Sequence, residues 1–348
     1  MPDRDAAAAL DSDLRIRKVD GHSGRLSSVP ILLFHVHDNC NCRCVMCDIW
    51  QREGGREIDL EWLERQRSSI LRLGVKQVVL TGGEPLLHSR FNDLCSLLKT
   101  LGIRIILLTT GLLLAKRAES VAQSVDEVIV SLDGPEEVHD QVRRVKGAFK
   151  LVHSGIGAVR RHNPAMPFHA RTTIQKMNHG FLRETVKAAH LLSLDSISFL
   201  AADVTSTAFN RDLIWPGKRQ RQIVLTRGEV QELEEEIEAL VEENAFEFET
   251  RFILESRDKL RNIPRRFREQ LGDLAPRAPL CNAPWVSAVI EVDGGIRPCF
   301  FHGKIGDASA IPLDQAINST SAMEFRTLLD VENNPTCQRC VCSLNYKG

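Results

Sequence analysis

Cys40-Asn41-Cys42-Arg43-Cys44-Val45-Met46-Cys47 places four cysteines within eight residues, directly after the β-rich run Ile31 to His37. A turn carrying thiols at 40, 44 and 47 brings three sulfurs to one point. Thiolates are the soft ligands that iron–sulfur clusters demand. Three ligands on a four-iron cluster leave one iron open, and an open metal position is what lets a site bind a reactant instead of only holding a fold together. A zinc site assisted by His35 or His37 is the competing reading. Cys42 falls outside the 40/44/47 spacing and reads as a bystander.

Outward from this knot, β-rich runs recur at Ile31 to His37, Val75 to Leu80, Ile103 to Leu108, Glu127 to Leu132, Phe168 to Ile174 and Ser196 to Leu200. Helical patterns lie between them, at Leu60 to Leu73, Phe91 to Leu101, Ala148 to Arg161 and Phe181 to Leu194. Strands alternating with helices pair in parallel through right-handed crossovers. The expected fold is α/β, a partial (β/α)6 TIM-like barrel. Beyond Leu200 the alternation stops. Residues 203 to 227 read as irregular, 229 to 244 as an acidic helix, and 257 to 268 as a basic stretch whose charges partly neutralise the acidic face. The expected boundaries are 1–30 for an N-terminal extension, 31–202 for the barrel, 203–280 for a helical connection and 281–348 for a small Cys-rich module.

In a βα barrel the reactive face is built by loops at the C-terminal ends of the strands. Here the second strand ends in Thr81-Gly82-Gly83-Glu84-Pro85, the third in Thr109-Thr110-Gly111, and the fourth in Ser131-Leu132-Asp133-Gly134-Pro135, followed by His139-Asp140 and Arg143. Taken singly these are turn and cap signals. In order after Cys-x3-Cys-x2-Cys, with Met46 before the last cysteine, the chain resembles the radical S-adenosylmethionine (radical SAM) superfamily. The resemblance implies a SAM-binding [4Fe–4S] cluster on Cys40, Cys44 and Cys47. It further implies that Met46, Gly82, Gly83, Glu84, Ser131 and Arg143 hold SAM. Gly82, Gly83 and Glu84 would meet the methionine amino group, Ser131 the ribose or methionyl part, and Arg143 the methionine carboxylate.

A second knot closes the chain: Cys281, followed by Pro284-Trp285, then Gly294-x4-Cys299, then Cys337-x2-Cys340-x-Cys342. The run Ala288 to Val292, Asp293-Gly294-Gly295 and Ile296 onward reads as a hairpin. Four thiolates so arranged suit a zinc ribbon or a fully ligated iron–sulfur cluster. In context the segment resembles the SPASM extension, most nearly its single-cluster twitch form. The resemblance implies an auxiliary [4Fe–4S] cluster on Cys281, Cys299, Cys337 and Cys340 that carries an electron. Cys342 is left as a substitute ligand, a hydrogen-atom donor or an inert thiol. Cys95, among Leu94, Leu97 and Leu98, reads as core.

Composition excludes several classes. The 348 residues carry 45 Lys plus Arg against 46 Asp plus Glu, a net charge of −1, and 43% apolar residues. Neutrality gives no field for drawing in nucleic acid or a membrane surface, and no apolar run reaches membrane-spanning length. Met1 to Leu14 lacks the order of a secretory signal, so a cytoplasmic location is expected. There, ten cysteines favour metal or redox chemistry over disulfides.

The expected function is radical SAM oxidoreduction: reductive cleavage of SAM to a 5′-deoxyadenosyl radical, hydrogen abstraction from an unactivated C–H bond, and two-electron oxidation of a small-molecule alcohol such as a sugar or cyclitol. The expected partners are a small-molecule or short peptide substrate and an external one-electron reductant such as flavodoxin or ferredoxin. The roughly 30 residues before Ile31 read as too short for a leader-binding domain, which favours the small molecule. Peptide maturation and epimerisation are the alternatives within the class, and a zinc-stabilised binding protein is the alternative outside it.

Overall fold

The computed structural model describes residues 24–52, 54–209 and 213–347. Most of the N-terminal extension expected over 1–30 therefore lies outside the described residues. Six parallel strands, β1 (Ile31–His37), β2 (Gln77–Gly82), β3 (Arg104–Thr109), β4 (Glu127–Ser131), β5 (Phe168–Ile174) and β6 (Ser196–Ala201), follow one another in sheet order. β6 does not return to pair with β1, so the barrel stays open as a partial (β/α)6 barrel. β1 is almost wholly apolar because helices cover one face of a parallel sheet and the barrel interior lies on the other.

The C-terminal hairpin is part of the same sheet. β7 (Ser287–Ile290) pairs in parallel with β1, setting Leu33 opposite Val289 and Phe34 opposite Ile290. β8 (Gly295–Arg297) and β9 (Gly306–Asp307) then continue antiparallel, giving the order β6-β5-β4-β3-β2-β1-β7-β8-β9. Gly294 makes the turn at a φ of +85°, and a Cβ there would meet the Ser309 backbone nitrogen at 2.8 Å. Only glycine combines that backbone conformation with that approach.

The helix expected over Leu60 to Leu73 is two pieces, Leu60–Arg65 and Arg67–Arg72. Asp59 caps the first by accepting from the backbone N–H groups of Glu61 and Trp62. At the break, the Gln66 side chain accepts from the Leu313 N–H at 2.7 Å and donates to the Ile311 carbonyl at 3.5 Å. Nearby, the Trp62 indole donates to the Ala308 carbonyl at 2.7 Å. The barrel layer and the C-terminal segment are thus joined by buried polar bonds as well as by the sheet.

The acidic and basic runs of the connection face one another. Arg261 bridges Glu238 and Arg268 bridges Glu234 between the helices Arg227–Glu243 and Ile263–Gln270 and their neighbours. Being exposed, each pair contributes little to stability. The connection also covers the free edge of β6: Ile197 donates to the Phe252 carbonyl and accepts from the Leu254 N–H, which removes an unpaired edge. Among the described residues no helix is long and apolar enough to cross a membrane.

Replacing Gln66 by Leu is expected to destabilise the protein by about 1–3 kcal/mol, because the buried Leu313 N–H loses its acceptor. Denaturant unfolding of the variant against the unaltered chain measures this, and an unchanged midpoint would show that the junction does not depend on this bond.

Candidate active site

The cysteine loop leaves β1 and is seated against the end of β2 by backbone bonds. The Gly83 N–H donates to the His37 carbonyl at 2.8 Å and the Glu84 N–H to the Asn39 carbonyl at 2.9 Å. This approach explains both glycines. A Cβ on Gly83 would lie 1.9 Å from the Asn39 carbonyl oxygen, and Gly82, at φ +130°, would put one 2.5 Å from the His37 carbonyl oxygen.

Cys40, Cys44 and Cys47 then border one cavity of about 250 Å³ together with Met46, Gly82, Gly83, Thr109, Thr110, Ser131 and Arg143. Four loops expected to share a rim do share it. Cys42 is 1% exposed and does not border the cavity; hydrogen bonds to the Cys40 and Cys44 thiols hold its pKa far above the ordinary range. Cys95 is fully buried in the core.

Glu84 is placed differently from the expectation that it meets a ligand's amino group. It is fully buried beneath the rim and does not border the cavity. One oxygen accepts from the Leu86 N–H and the Thr109 hydroxyl, the other from the Thr110 N–H and hydroxyl, at 2.7 to 3.0 Å. Burial pushes its pKa up while these donors oppose the push. With its acceptor capacity engaged by the chain, Glu84 shapes the Thr109-Thr110-Gly111 loop. The sequence pattern alone does not reveal that role.

Arg143 borders the cavity and is already charge-matched. Its guanidinium lies 2.5 Å from Asp133 and donates to the Cys44 sulfur at 3.4 Å, while its Nε is buried without a partner. Burial works against its charge, but Asp133, Cys44 and Cys42 more than offset it and raise its pKa. Cys44 is held at about 6 by the Cys42 hydrogen bond, with Arg143 adding to the effect. Burial pushes Cys47 up to about 12. One thiol is thus a ready thiolate, and metal binding must displace a proton from another.

A second cavity of about 310 Å³ is bordered by Cys281, Cys299, Cys337, Cys340 and Cys342. Leu108, Arg171, Phe300, Phe301 and Cys342 border both cavities, so the two cavities adjoin at these residues and together form the lumen that the two thiol groups border. Burial raises Cys299 to about 11 and Cys337 to about 12, and also raises Cys340 and Cys342. Among the described residues no three His, Cys, Asp or Glu side chains converge as they would on a single metal ion; thiolates on different irons of one cluster stand further apart. Soft donors in one three-thiol and one larger thiol group fit iron–sulfur clusters.

The pattern reading also missed a polar group at the junction of β1 with the hairpin. His35 Nδ1 lies 3.1 Å from Glu291, which accepts from Arg297 Nε at 2.6 Å, and the His35 ring stacks on Phe300 with centroids 5.5 Å apart. Burial opposes ionisation of Glu291, yet His35 and Arg297 hold its pKa down at about 2. The signal available in sequence was only the placement of His35 on an inward-facing position of β1.

Two outcomes follow. Gly83→Ala should cost about 1–3 kcal/mol through overpacking and lower the iron bound at the first cysteine group, read by iron analysis after anaerobic loading. For Glu291, a depressed acid, the stabilisation is present above its unfolded pKa of about 4.3 and is lost as pH falls towards 2. Glu291→Gln should cost about 3 kcal/mol at pH 7 and flatten acid unfolding between about pH 4 and 2; an unaltered acid limb would rule the linkage out.

Residues 35–174 match the Radical SAM superfamily, and residues 281–341 match SPASM, an iron–sulfur cluster-binding domain. A probable GTP 3′,8-cyclase of Methanocella arvoryzae is 34% identical over 143 residues, 40% of this chain and 45% of that protein. The antilisterial bacteriocin subtilosin biosynthesis protein AlbA of Bacillus subtilis is 23% identical over 271 residues, 76% of this chain and 54% of that protein. The chain thus spans about half the length of these curated relatives. Streptococcus suis SuiB, solved bound to its precursor peptide SuiA, shares the fold at a TM-score of 0.62 with 15% identity, covering 99% of this chain and 78% of that one. The two matched domains imply a SAM-binding [4Fe–4S] cluster, auxiliary iron–sulfur binding and SAM itself. Residues 35–174 are thus identified as a radical SAM domain and residues 281–341 as a SPASM domain, one at each cysteine group.

Proposed function

We propose that this chain is a radical SAM oxidoreductase acting on a peptide, in which an unactivated C–H site loses a hydrogen atom to the SAM-derived radical, then an electron to the auxiliary cluster and a proton to solvent. The observation that carries this reading is the common lumen: Cys40, Cys44 and Cys47 border one end, and Cys281, Cys299, Cys337 and Cys340 border the other.

Bound in that lumen, SAM and a reduced cluster supply a 5′-deoxyadenosyl radical that takes hydrogen from the substrate. Cys40, Cys44 and Cys47 would hold the SAM-binding cluster and leave one iron for SAM. Gly82 and Gly83 would bring backbone close to the amino-acid part of SAM, Ser131 would offer a hydroxyl, Met46 an apolar wall and Arg143 a cation. Cys281, Cys299, Cys337 and Cys340 would hold the auxiliary cluster as electron acceptor, leaving it no open position. Phe300 and Phe301, between the two groups, exclude water from the path. An external one-electron reductant such as flavodoxin or ferredoxin would complete the cycle.

Peptide rather than small-molecule chemistry is supported by AlbA, which aligns over 76% of this chain, while the cyclase aligns over 40%. Oxidation of a sugar or cyclitol alcohol would use the same residues and differs only in what enters the lumen.

Anaerobic loading should give about eight irons per chain and SAM cleavage under dithionite. Cys44→Ala should abolish 5′-deoxyadenosine formation. The triple change at Cys281, Cys299 and Cys337 should retain SAM cleavage but lose oxidised product, read as a peptide lighter by two hydrogens. Zinc at stoichiometric level with no SAM cleavage overturns the reading.

A further inference from the structure

We propose that Arg171 anchors a carboxylate of the substrate at the junction of the two cavities. The inference rests on the proposed use of the lumen as the reaction chamber and adds the chemical class of what enters it.

Arg171 lies on β5, in register with Ser131 of β4 on one side and Ser198 of β6 on the other. It borders both cavities. The other barrel residues around the second cavity are Ile31, Leu33, Gln77, Val79, Ile106, Leu108 and Ile129, so Arg171 is the only cation in an aliphatic wall. Its Nε is buried and has no hydrogen-bond partner. Among the described residues no carboxylate borders the second cavity. The first cavity has only Asp203, which accepts from the Thr205 N–H and from the Thr205 and Ser206 hydroxyls. The neighbouring cations are matched, Arg143 by Asp133 and Arg297 by Glu291.

Arg171 is half-buried with its Nε shut away from water, its charge acts on the Cys342 thiol, and among the described residues no carboxylate pairs with it. The missing partner therefore comes with what binds. A guanidinium offers a planar fork that takes a carboxylate in two parallel hydrogen bonds. A phosphate would bring more charge than one arginine neutralises, whereas a carboxylate matches it one for one. The position suits a substrate group, because Arg171 reaches the second cavity while Gly82, Gly83 and Ser131, on the rim expected to hold SAM, border only the first of these two. The aliphatic wall excludes water that would weaken the pair.

The test uses the full chain loaded anaerobically with iron, sulfide and SAM. The probes are radiolabelled N-acetyl-glutamate α-amide, which carries one side-chain carboxylate, and its uncharged counterpart N-acetyl-glutamine amide, each followed by equilibrium dialysis. The unaltered chain should bind the acid about tenfold or more tightly than the amide, as a charge-assisted pair predicts. Arg171→Gln should erase that preference and Arg171→Lys should restore part of it. The SAM dissociation constant and the reduction potential of the auxiliary cluster should stay unchanged in both variants. An acid preference that survives Arg171→Gln overturns the proposal, as does its absence from the unaltered chain. A loss of SAM affinity in Arg171→Gln would make Arg171 a SAM contact, and a shifted potential would make it a partner of the cluster; either also overturns it. Failure of the unaltered chain to cleave SAM counts against the functional reading alone, because the acid-over-amide comparison is a binding measurement.

Discussion

The site depends on how closely the end of β2 approaches the loop that leaves β1. Two backbone hydrogen bonds, Gly83 to His37 and Glu84 to Asn39, hold that approach, and it exists only because Gly83 has no side chain to strike the Asn39 carbonyl. Everything at the rim is referenced to it. Glu84, carried in by the same turn, is fully buried and gathers Thr109 and Thr110 from β3. The Thr110 hydroxyl oxygen also lies 3.0 Å from the Asn41 side-chain amide and so returns to the cysteine loop. One close contact between two strands thereby fixes three loops.

The second constraint is the pairing of β7 with β1. Because the C-terminal hairpin continues the sheet instead of packing on it, the position of the second thiol group is set by hydrogen-bond register from β1 outward. A thiol group joined by a flexible linker would wander relative to the barrel; one joined by strand register cannot slip without turning apolar side chains to the wrong face. The Gln66 and Trp62 bonds to the 308–313 segment, and the Glu291 bridge between His35 and Arg297, brace the same junction from both sides. An electron path between two sites needs a fixed separation, and this sheet provides one.

Much of this was legible in the residues. The strands at Ile31 to His37 and Phe168 to Ile174 have the bounds their apolar runs predict, and the hairpin forms around Asp293-Gly294-Gly295. The rim loops meet because strand ends in a parallel barrel must. What pattern could not supply was direction. Glu84 follows two glycines and reads as a ligand carboxylate, but whether it turns up to the cavity or down into the core depends on donors 25 and 26 residues away. The break at Gln66 has no local cause either: the amide is spent on Leu313, 247 residues on. Arg171 was passed over for a related reason, since alternation along β5 marks it as inward only once the barrel around it is known.

The charges of the lumen show how the remaining pieces fit together. Burial raises Cys47, Cys299, Cys337, Cys340 and Cys342, whereas Cys42 and Arg143 hold Cys44 at about 6. A thiol that is protonated in the chain must lose its proton as a metal ion arrives. The cations at and beside the lumen are then unequal. Arg143 has Asp133 and a thiolate, and Arg297 has Glu291, so both remain neutralised whatever is bound. Arg171 has neither. A site whose charges balance everywhere but at one wall is complete only when something negative rests against that wall, which ties occupancy of the lumen to the charge of its occupant as well as to its shape.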